Sequence, residues 1–388
     1  DAMRGPSAVT TTTALLGASL PGSRGAAEMG AGAPTDRLPT DDYFAEYAQI
    51  FDHMGMLQDT QRMDAYHNAI MYNADVHFKG KTVLDVGSGT GILAIWAAMA
   101  GARRVYAVEA SSIGTHIESL VEAHGVGDVV TVVRNRMEKV ELPEKVDVIV
   151  SEWMGYFLLR ESMVESVLLA RDRWLAPGGV MYPSHARLLI APTALPRFLE
   201  RQRAEIVDSM AGWDELAAEM RDSYGLRFDV LRGAYEREHQ NYAFSQGWQG
   251  LLPAHLLRGS PKVLLEVDMH TVTHSEFFGW ETTVKLDLSP KPNEPLHGLC
   301  GWFDVRFCGS EENPADECVE LDTAPTSPST HWAQTTLLLE RPITEPELTV
   351  RLAQRGDSHH DLNVTVSSGD WSASYAITSE FRGMNLDA

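Results

Sequence analysis

The sequence predicts an α/β half built on a parallel sheet, followed by an all-β half. Three observations carry that prediction. Apolar strand candidates at 81–86, 104–109, 129–134 and 146–152 alternate with helix-like segments, the pattern of a parallel sheet covered on both faces. Beyond Pro192 and a helical passage, short segments at 263–272, 277–288, 297–308, 317–322, 332–339, 347–354 and 362–380 are broken by Pro, Gly, Asn and Asp, a β-sandwich or β-barrel signature. A chain of 388 residues, 44% hydrophobic and 22% charged, is long and apolar enough for two cores.

Residues 1–40 are dominated by Ala, Gly, Ser, Thr and Pro, and bury too little surface to offset the entropy of ordering, so a disordered tail is expected. Arginines and hydroxyls without acids between Met3 and Ala27 faintly resemble a transit peptide, although no arginine-rich amphipathic face forms. From Asp41 the pattern changes. Tyr43, Phe44, Tyr47, Ile50, Phe51, Met54 and Leu57 recur at three- and four-residue steps, with Thr40 or Asp41 placed to cap a helix. A second helix spans Arg62 to Tyr72. The α/β domain, 41–183, closes near Pro177–Pro183, which reads as a turn feeding one more strand; 184–388 form the β domain. Between Arg197 and Tyr224, Trp213, Leu216, Met220 and Tyr224 share one helical face.

A formal charge of −22 disfavours a nucleic-acid backbone as main partner and suits a cationic substrate drawn in by the long-range field. No apolar run approaches the ~18 residues of a membrane span, so no membrane role is expected. Cys300, Cys308 and Cys318 form neither a CxxC pair nor an even set, and read as reduced packing residues of an intracellular protein, with no metal site expected.

The chemistry lies in two segments. Asp85-Val-Gly87-Ser-Gly89-Thr-Gly91 closes a strand and opens a helix, and its glycines let backbone approach a ligand that a Cβ would hold off. Glu109 ends the next strand about 20 residues on, where a carboxylate can bind ribose hydroxyls. The GxGxG spacing favours S-adenosylmethionine over a dinucleotide, since its methionyl arm has no pyrophosphate to seat. Glu138 is placed to accept from an adenine amino group, although alone it would read as a solvated charge. The second segment is the apolar run between Glu152 and Glu161, in which Gly155 permits a sharp bend. Folded back, it would bring two carboxylates together, and they would repel unless a cation lay between them. A guanidinium fits, because its planar fork pairs with carboxylates and stays charged. Polarised by that pairing, one terminal nitrogen could attack a sulfonium methyl in line, catalysed by positioning and electrostatics.

Tyr43-Phe-Ala-Glu-Tyr47, Val83 to Gly91, Val108-Glu109-Ala, Ser151-Glu-Trp-Met-Gly-Tyr-Phe-Leu-Leu-Arg-Glu161 and Thr330-His-Trp332 occur in order. Together they resemble the protein arginine N-methyltransferase family across about 41–382, its plant-type branch most. The resemblance implies a Rossmann-like S-adenosylmethionine-binding domain, then a β-barrel with a helical dimerisation arm at about 197–233. It implies that His53, Arg62, Gly87, Gly89, Glu109, Met137 and Glu138 bind the cofactor, with Arg62 on its carboxylate. Glu152 and Glu161 would hold the guanidinium. His331 would pair with Asp59 and either orient the site or accept the released proton. Tyr43, Tyr47, Met56, Met163 and Trp332 would meet substrate, and Met56, Met163 and His331 match members making asymmetric dimethylarginine. The implied partners are basic peptides, such as histone tails and Gly/Arg-rich proteins, and a second copy of the chain, in cytoplasm or nucleus. The alternatives are a catalytically silent cofactor-binding scaffold, or a small-molecule or nucleic-acid methyltransferase on the same fold.

Overall fold

A computed structural model describes residues 47–286, 295–343, 347–356, 358–379 and 382–386. The expected tail, Tyr43 and the expected start of the first helix lie outside them. Helix α1 (Ile50–Gln58) meets α2 (Thr60–Tyr72) at Asp59, whose Oδ1 accepts from the Arg62 backbone N–H, 3.1 Å, and caps α2.

Five parallel strands follow: β1 (Thr82–Val86), β2 (Arg104–Glu109), β3 (Val130–Arg134), β4 (Val146–Val150) and β5 (Leu175–Tyr182). They stand in the order β3-β2-β1-β4-β5, with α3 (Ile92–Met99), α4 (Gly114–Ala123) and α5 (Val164–Trp174) between them in sequence. Every residue of β1 is buried, as a strand covered on both faces requires. The stretch expected as a turn at Pro177–Pro183 is instead mostly strand. β5 pairs with β4 from Leu175 to Tyr182 across an irregularity, so the Pro-Gly-Gly run is absorbed as a bulge.

The β half comprises two antiparallel-rich sheets. One runs β16-β7-β12-β10-β6-β8 with β11 also on β10, and the other runs β15-β14-β13-β9. Their ranges are β6 (His185–Thr193), β7 (Gly247–Gly250), β8 (Lys262–Asp268), β9 (Trp280–Lys285), β10 (Leu296–Gly309), β11 (Pro314–Asp322), β12 (Gln334–Ile343), β13 (Glu347–Gln354), β14 (Leu362–Ser368), β15 (Trp371–Ile377) and β16 (Arg382–Gly383). β8 lies beside β9, and Gln246 bridges to Ala376 in β15, so the sheets meet at both edges as a barrel. β10 is almost wholly buried, one face toward the barrel and one toward the α/β half. There Phe307 packs against Tyr66 of α2 and Tyr182 of β5, ring centroids 4.8 and 5.9 Å away, within one continuous core.

Two helices, α6 (Pro196–Tyr224) and α7 (Arg232–Phe244), project as a hairpin turned at Gly225, which caps α6 in the left-handed region. Trp213 stacks on Tyr235 inside it, 4.4 Å between centroids. The helical passage runs on to Phe244, past the expected 233, because Ala243 and Phe244 root it in a second core with Phe198 and Trp248. Of the expected shared face, Leu216 and Tyr224 are exposed.

Cysteine usage needs correction. Cys308 and Cys318, expected to be reduced, are disulfide-bonded with Cα atoms 4.3 Å apart. The register Phe307↔Val319 sets them opposite one another, a proximity that residue spacing alone does not display. Cys300 is a buried thiol whose pKa burial pushes up.

Phe307 is fully buried at the joint between the halves. Phe307→Ala should cost about 3–5 kcal/mol, read as one shifted urea transition reported alike by fluorescence of both halves.

Candidate active site

The chain leaves β1 toward β2 and β3 and returns to β4 on β1's other side, so the strand order reverses between β1 and β4. In open α/β sheets ligands bind in the crevice that such a reversal opens at the strands' C-terminal ends. The glycine loop follows β1 there, Glu109 ends β2, and Glu152 follows β4.

Gly87 and Gly89 have φ of 71° and 54°, and their bare Cα faces are in use. The Met163 side chain lies against Gly87, and a Cβ on Gly89 would come within 3.1 Å of the His53 ring. Glu109 accepts from the backbone N–H groups of Gly89 (2.8 Å) and Ser111 (2.7 Å), which aims it across the loop. This cradle of bare backbone, a fixed carboxylate and a nearby arginine fits an adenosyl cofactor with a zwitterionic arm.

Tyr66 donates to Ser151 O (2.9 Å) and Ser151 Oγ to Val86 O (2.7 Å), fixing the backbone before Glu152. Beyond it the segment folds back as expected: Gly155 and Leu158 pair, with Gly155 N–H on Leu158 O at 3.0 Å. Gly155 is obligatory because Arg160 O occupies the place of its Cβ. Phe157, Leu158, Glu161 and Ser162 all have positive φ, a costly conformation for side-chain-bearing residues. The barrel holds them there. Gly301 of β10 leaves space for the Phe157 ring, and Trp332 donates its indole N–H to Met154 O, 2.9 Å. Glu161 donates its backbone N–H to His360 O (2.8 Å), and His360 Nδ1 returns a bond to Glu161 O (2.6 Å).

Both glutamates have cationic partners. Glu152 Oε2 takes Arg62 through Nε (3.1 Å) and a terminal nitrogen (3.0 Å), each side chain 11% exposed. Its Oε1 is buried with no hydrogen-bond partner among the described residues. Glu161 Oε1 takes Arg160 at 3.0 Å, and its Oε2 accepts from Tyr47 OH at 2.5 Å. His331 donates from its backbone N–H (2.8 Å) and Nδ1 (2.7 Å) to Asp59 Oδ2. Burial alone would raise the Asp59 pKa, but these bonds and the Arg62 N–H outweigh it and hold the carboxyl low.

The structure therefore brings Arg62, with Met56 O on its guanidinium at 3.2 Å, to Glu152, and Tyr47 to Glu161. Asp59 reaches His331, while His53 and Met163 reach the glycine loop. One expected contact is not seen. Trp332, expected to meet substrate, is buried against Phe303 and supports the glutamate hairpin from behind. Glu138 accepts from Ser166 Oγ at 2.8 Å, beside a buried Met137.

Sequence reasoning missed Arg160, His360 and Asp85 as contributors. A charged residue within an apolar run was a signal for Arg160; His360, 199 residues from Glu161, offered none. Asp85 was legible only as part of the loop. It is fully buried, its Oδ2 accepts from Ala94 N–H at 3.1 Å, and its Oδ1 has no partner among the described residues. Burial pushes its pKa up to about 7, against the opposing bond from Ala94.

The fold and site define an S-adenosylmethionine-dependent methyltransferase. Residues 83–179 match the family description "Methyltransferase domain", and 208–369 match "Arginine methyltransferase oligomerization subdomain". The chain is 47% identical over 308 residues to protein arginine N-methyltransferase PRMT10 of Oryza sativa subsp. japonica, covering 78% of this chain and 79% of that one. It resembles the crystal structure of Arabidopsis thaliana protein arginine methyltransferase 10, described as uniquely open, with TM-score 0.80 and 39% identity over 86% of this chain and 99% of that one. The Trypanosoma brucei PRMT1 enzyme-prozyme heterotetramer with AdoHcy matches at TM-score 0.69 and 29% identity, over 86% and 99% of the two chains. This chain belongs to the protein arginine N-methyltransferase family.

Gly155→Ala should unmake the hairpin locally, costing roughly 1–3 kcal/mol in a denaturant melt and most of the activity. Asp85 should make stability fall with pH. Its raised folded-state pKa contributes stability that is complete below 3.8 and is lost as pH rises through about 7. Asp85→Asn should flatten that fall, measured as urea midpoints between pH 5 and 8.

Proposed function

We propose that this protein methylates the guanidino nitrogens of arginine residues in basic peptides, histone tails and Gly/Arg-rich proteins, giving monomethyl- and then asymmetric dimethylarginine. The observation that carries this reading is Glu152, a nearly buried carboxylate with one oxygen already on a guanidinium and the other without a partner among the described residues. A buried acceptor left unpaired is costly, and a second guanidinium satisfies it.

S-adenosylmethionine supplies an electrophilic methyl on a sulfonium. The glycine loop and Glu109 would hold its adenosyl part, with His53, Met137 and Glu138 around it, and Arg62 would be the cation for its carboxylate. With Arg62 serving that carboxylate, Glu152 Oε2 would also be open to the substrate arginine. Glu152 and Glu161 then concentrate positive charge on the bound part of the guanidinium, which leaves lone-pair density on the attacking nitrogen. His331 gives its Nδ1 hydrogen to Asp59, so Nε2 is the nitrogen that orients the site or takes the released proton.

The asymmetric product is favoured by Met56, Met163 and His331. The chain's charge of −22 suits basic substrates. Exposed Leu216, Tyr224, Leu226, Val230 and Leu231 at the far end of the helical hairpin support its use as a dimerisation arm, and the protein is assigned to cytoplasm or nucleus.

With S-adenosylmethionine and an arginine-rich histone-tail peptide, fragmentation of the product should show neutral loss of dimethylamine. Loss of monomethylamine would refute the asymmetric assignment, and absence of methylarginine across Gly/Arg-rich peptides would refute the activity. Glu152→Gln should keep cofactor binding while lowering turnover on the order of 10²-fold.

A further inference from the structure

A guanidinium pocket that already contains a guanidinium needs explaining. Arg160 immediately precedes Glu161, and its side chain is 5% exposed. Its terminal nitrogen lies 3.0 Å from Glu161 Oε1, and its Nε lies 4.0 Å from Oδ1 of Asp361, on the barrel loop that also carries His360. A free cation there would repel an arriving arginine and be costly to desolvate. Its backbone cannot easily move away, because Arg160 N–H is tied to Tyr156 O at 3.0 Å and Arg160 O fills the space over Gly155.

The charges of the site account for it. Arg62 is placed to serve a cofactor carboxylate, and without it Glu152 and Glu161 face one substrate cation. Two carboxylates sharing one substrate cation in a poorly solvated pocket leave Glu161 in need of a partner of its own. Arg160 is that partner, on the carboxylate oxygen that Tyr47 does not bond. Glu161 is thereby divided: Oε1 is anchored to Arg160, and Oε2, on the exchangeable Tyr47 hydroxyl, is available to substrate.

We propose that Arg160 is the fixed counter-ion and positioning residue of Glu161, reserving Oε1 so that the substrate guanidinium meets Glu161 through Oε2 alone. This rests on the arginine-methylating reading above. The two glutamates are thus unequal. Glu152 exchanges its protein guanidinium for the substrate's, and Glu161 keeps its own. Among the described residues, the charged or titratable groups around Glu161 include Arg160, Tyr47, Tyr156, His360 and Asp361. Arg160 is the cation among them that meets the carboxylate directly.

The test compares full-length Arg160→Met and Arg160→Lys with the unaltered protein, by steady-state kinetics on an arginine-rich histone-tail peptide. The Met variant should lose about tenfold or more in kcat, with peptide KM unchanged or lower because the pocket is more negative. The acid limb of its kcat/KM profile should move to higher pH, since a carboxylate without its cation protonates more readily. The Lys variant should recover a large part of kcat. Unchanged kcat in the Met variant, or a raised KM at unchanged kcat, would overturn the proposal. If the Met variant does not fold, Arg160→Gln, which retains a donor without the charge, is judged by the same kcat and KM criteria. Failure of the unaltered protein to form methylarginine would instead refute the functional reading.

Discussion

A carboxylate removed from water must have a cation, and most of this active site is organised around that requirement. Glu152 and Glu161 lie on one tight hairpin, and each has a guanidinium from the protein itself. Two bare carboxylates so placed would repel one another. The protein's own arginines partner them, so at Glu152 a substrate guanidinium replaces a like group. A site of this kind is preorganised for one chemical class.

The geometry of those carboxylates is held at a conformational cost met by the barrel. Left-handed backbone at Phe157, Leu158, Glu161 and Ser162 would relax in an isolated segment. It persists because Gly301 makes room for Phe157, Trp332 bonds Met154 and His360 bonds Glu161 in both directions. The same barrel reaches the N-terminal helices through His331 on Asp59, the residue that caps α2. Because α2 carries Arg62 one turn later, its orientation relative to Glu152 depends on residues far along the chain.

What could be read from the sequence followed the range of the interaction. Val83, Leu84 and Val86, all buried, announced a covered strand, and the glycines after them announced a backbone that a ligand approaches. Glu152 and Glu161 were legible because they bracket an apolar run, a local pattern with a charge problem built in. The Asp59–His331 pair was legible only through family resemblance, since nothing local links positions 272 apart. Strand register was not legible, which is why Cys308 and Cys318 looked like separate thiols and Pro177-Gly-Gly looked like a turn. An indole beside His331 looks like a substrate surface, whereas the Trp332 N–H is bonded to Met154 behind the hairpin. Arg160 was quoted within a motif and given no task, because a guanidinium in a guanidinium pocket makes sense only once both oxygens of Glu161 are accounted for.

The return of His360, His331 and Trp332 from the barrel onto the other half has a consequence for heredity. The barrel cannot be traded between lineages like a detachable specificity module, because exchanging it would also exchange the clamps on the reactive hairpin. Recombination can vary what lies outside this closed circuit, such as the ends of the chain and the tip of the helical hairpin. The halves themselves must be inherited together, and drift in one constrains what the other can become.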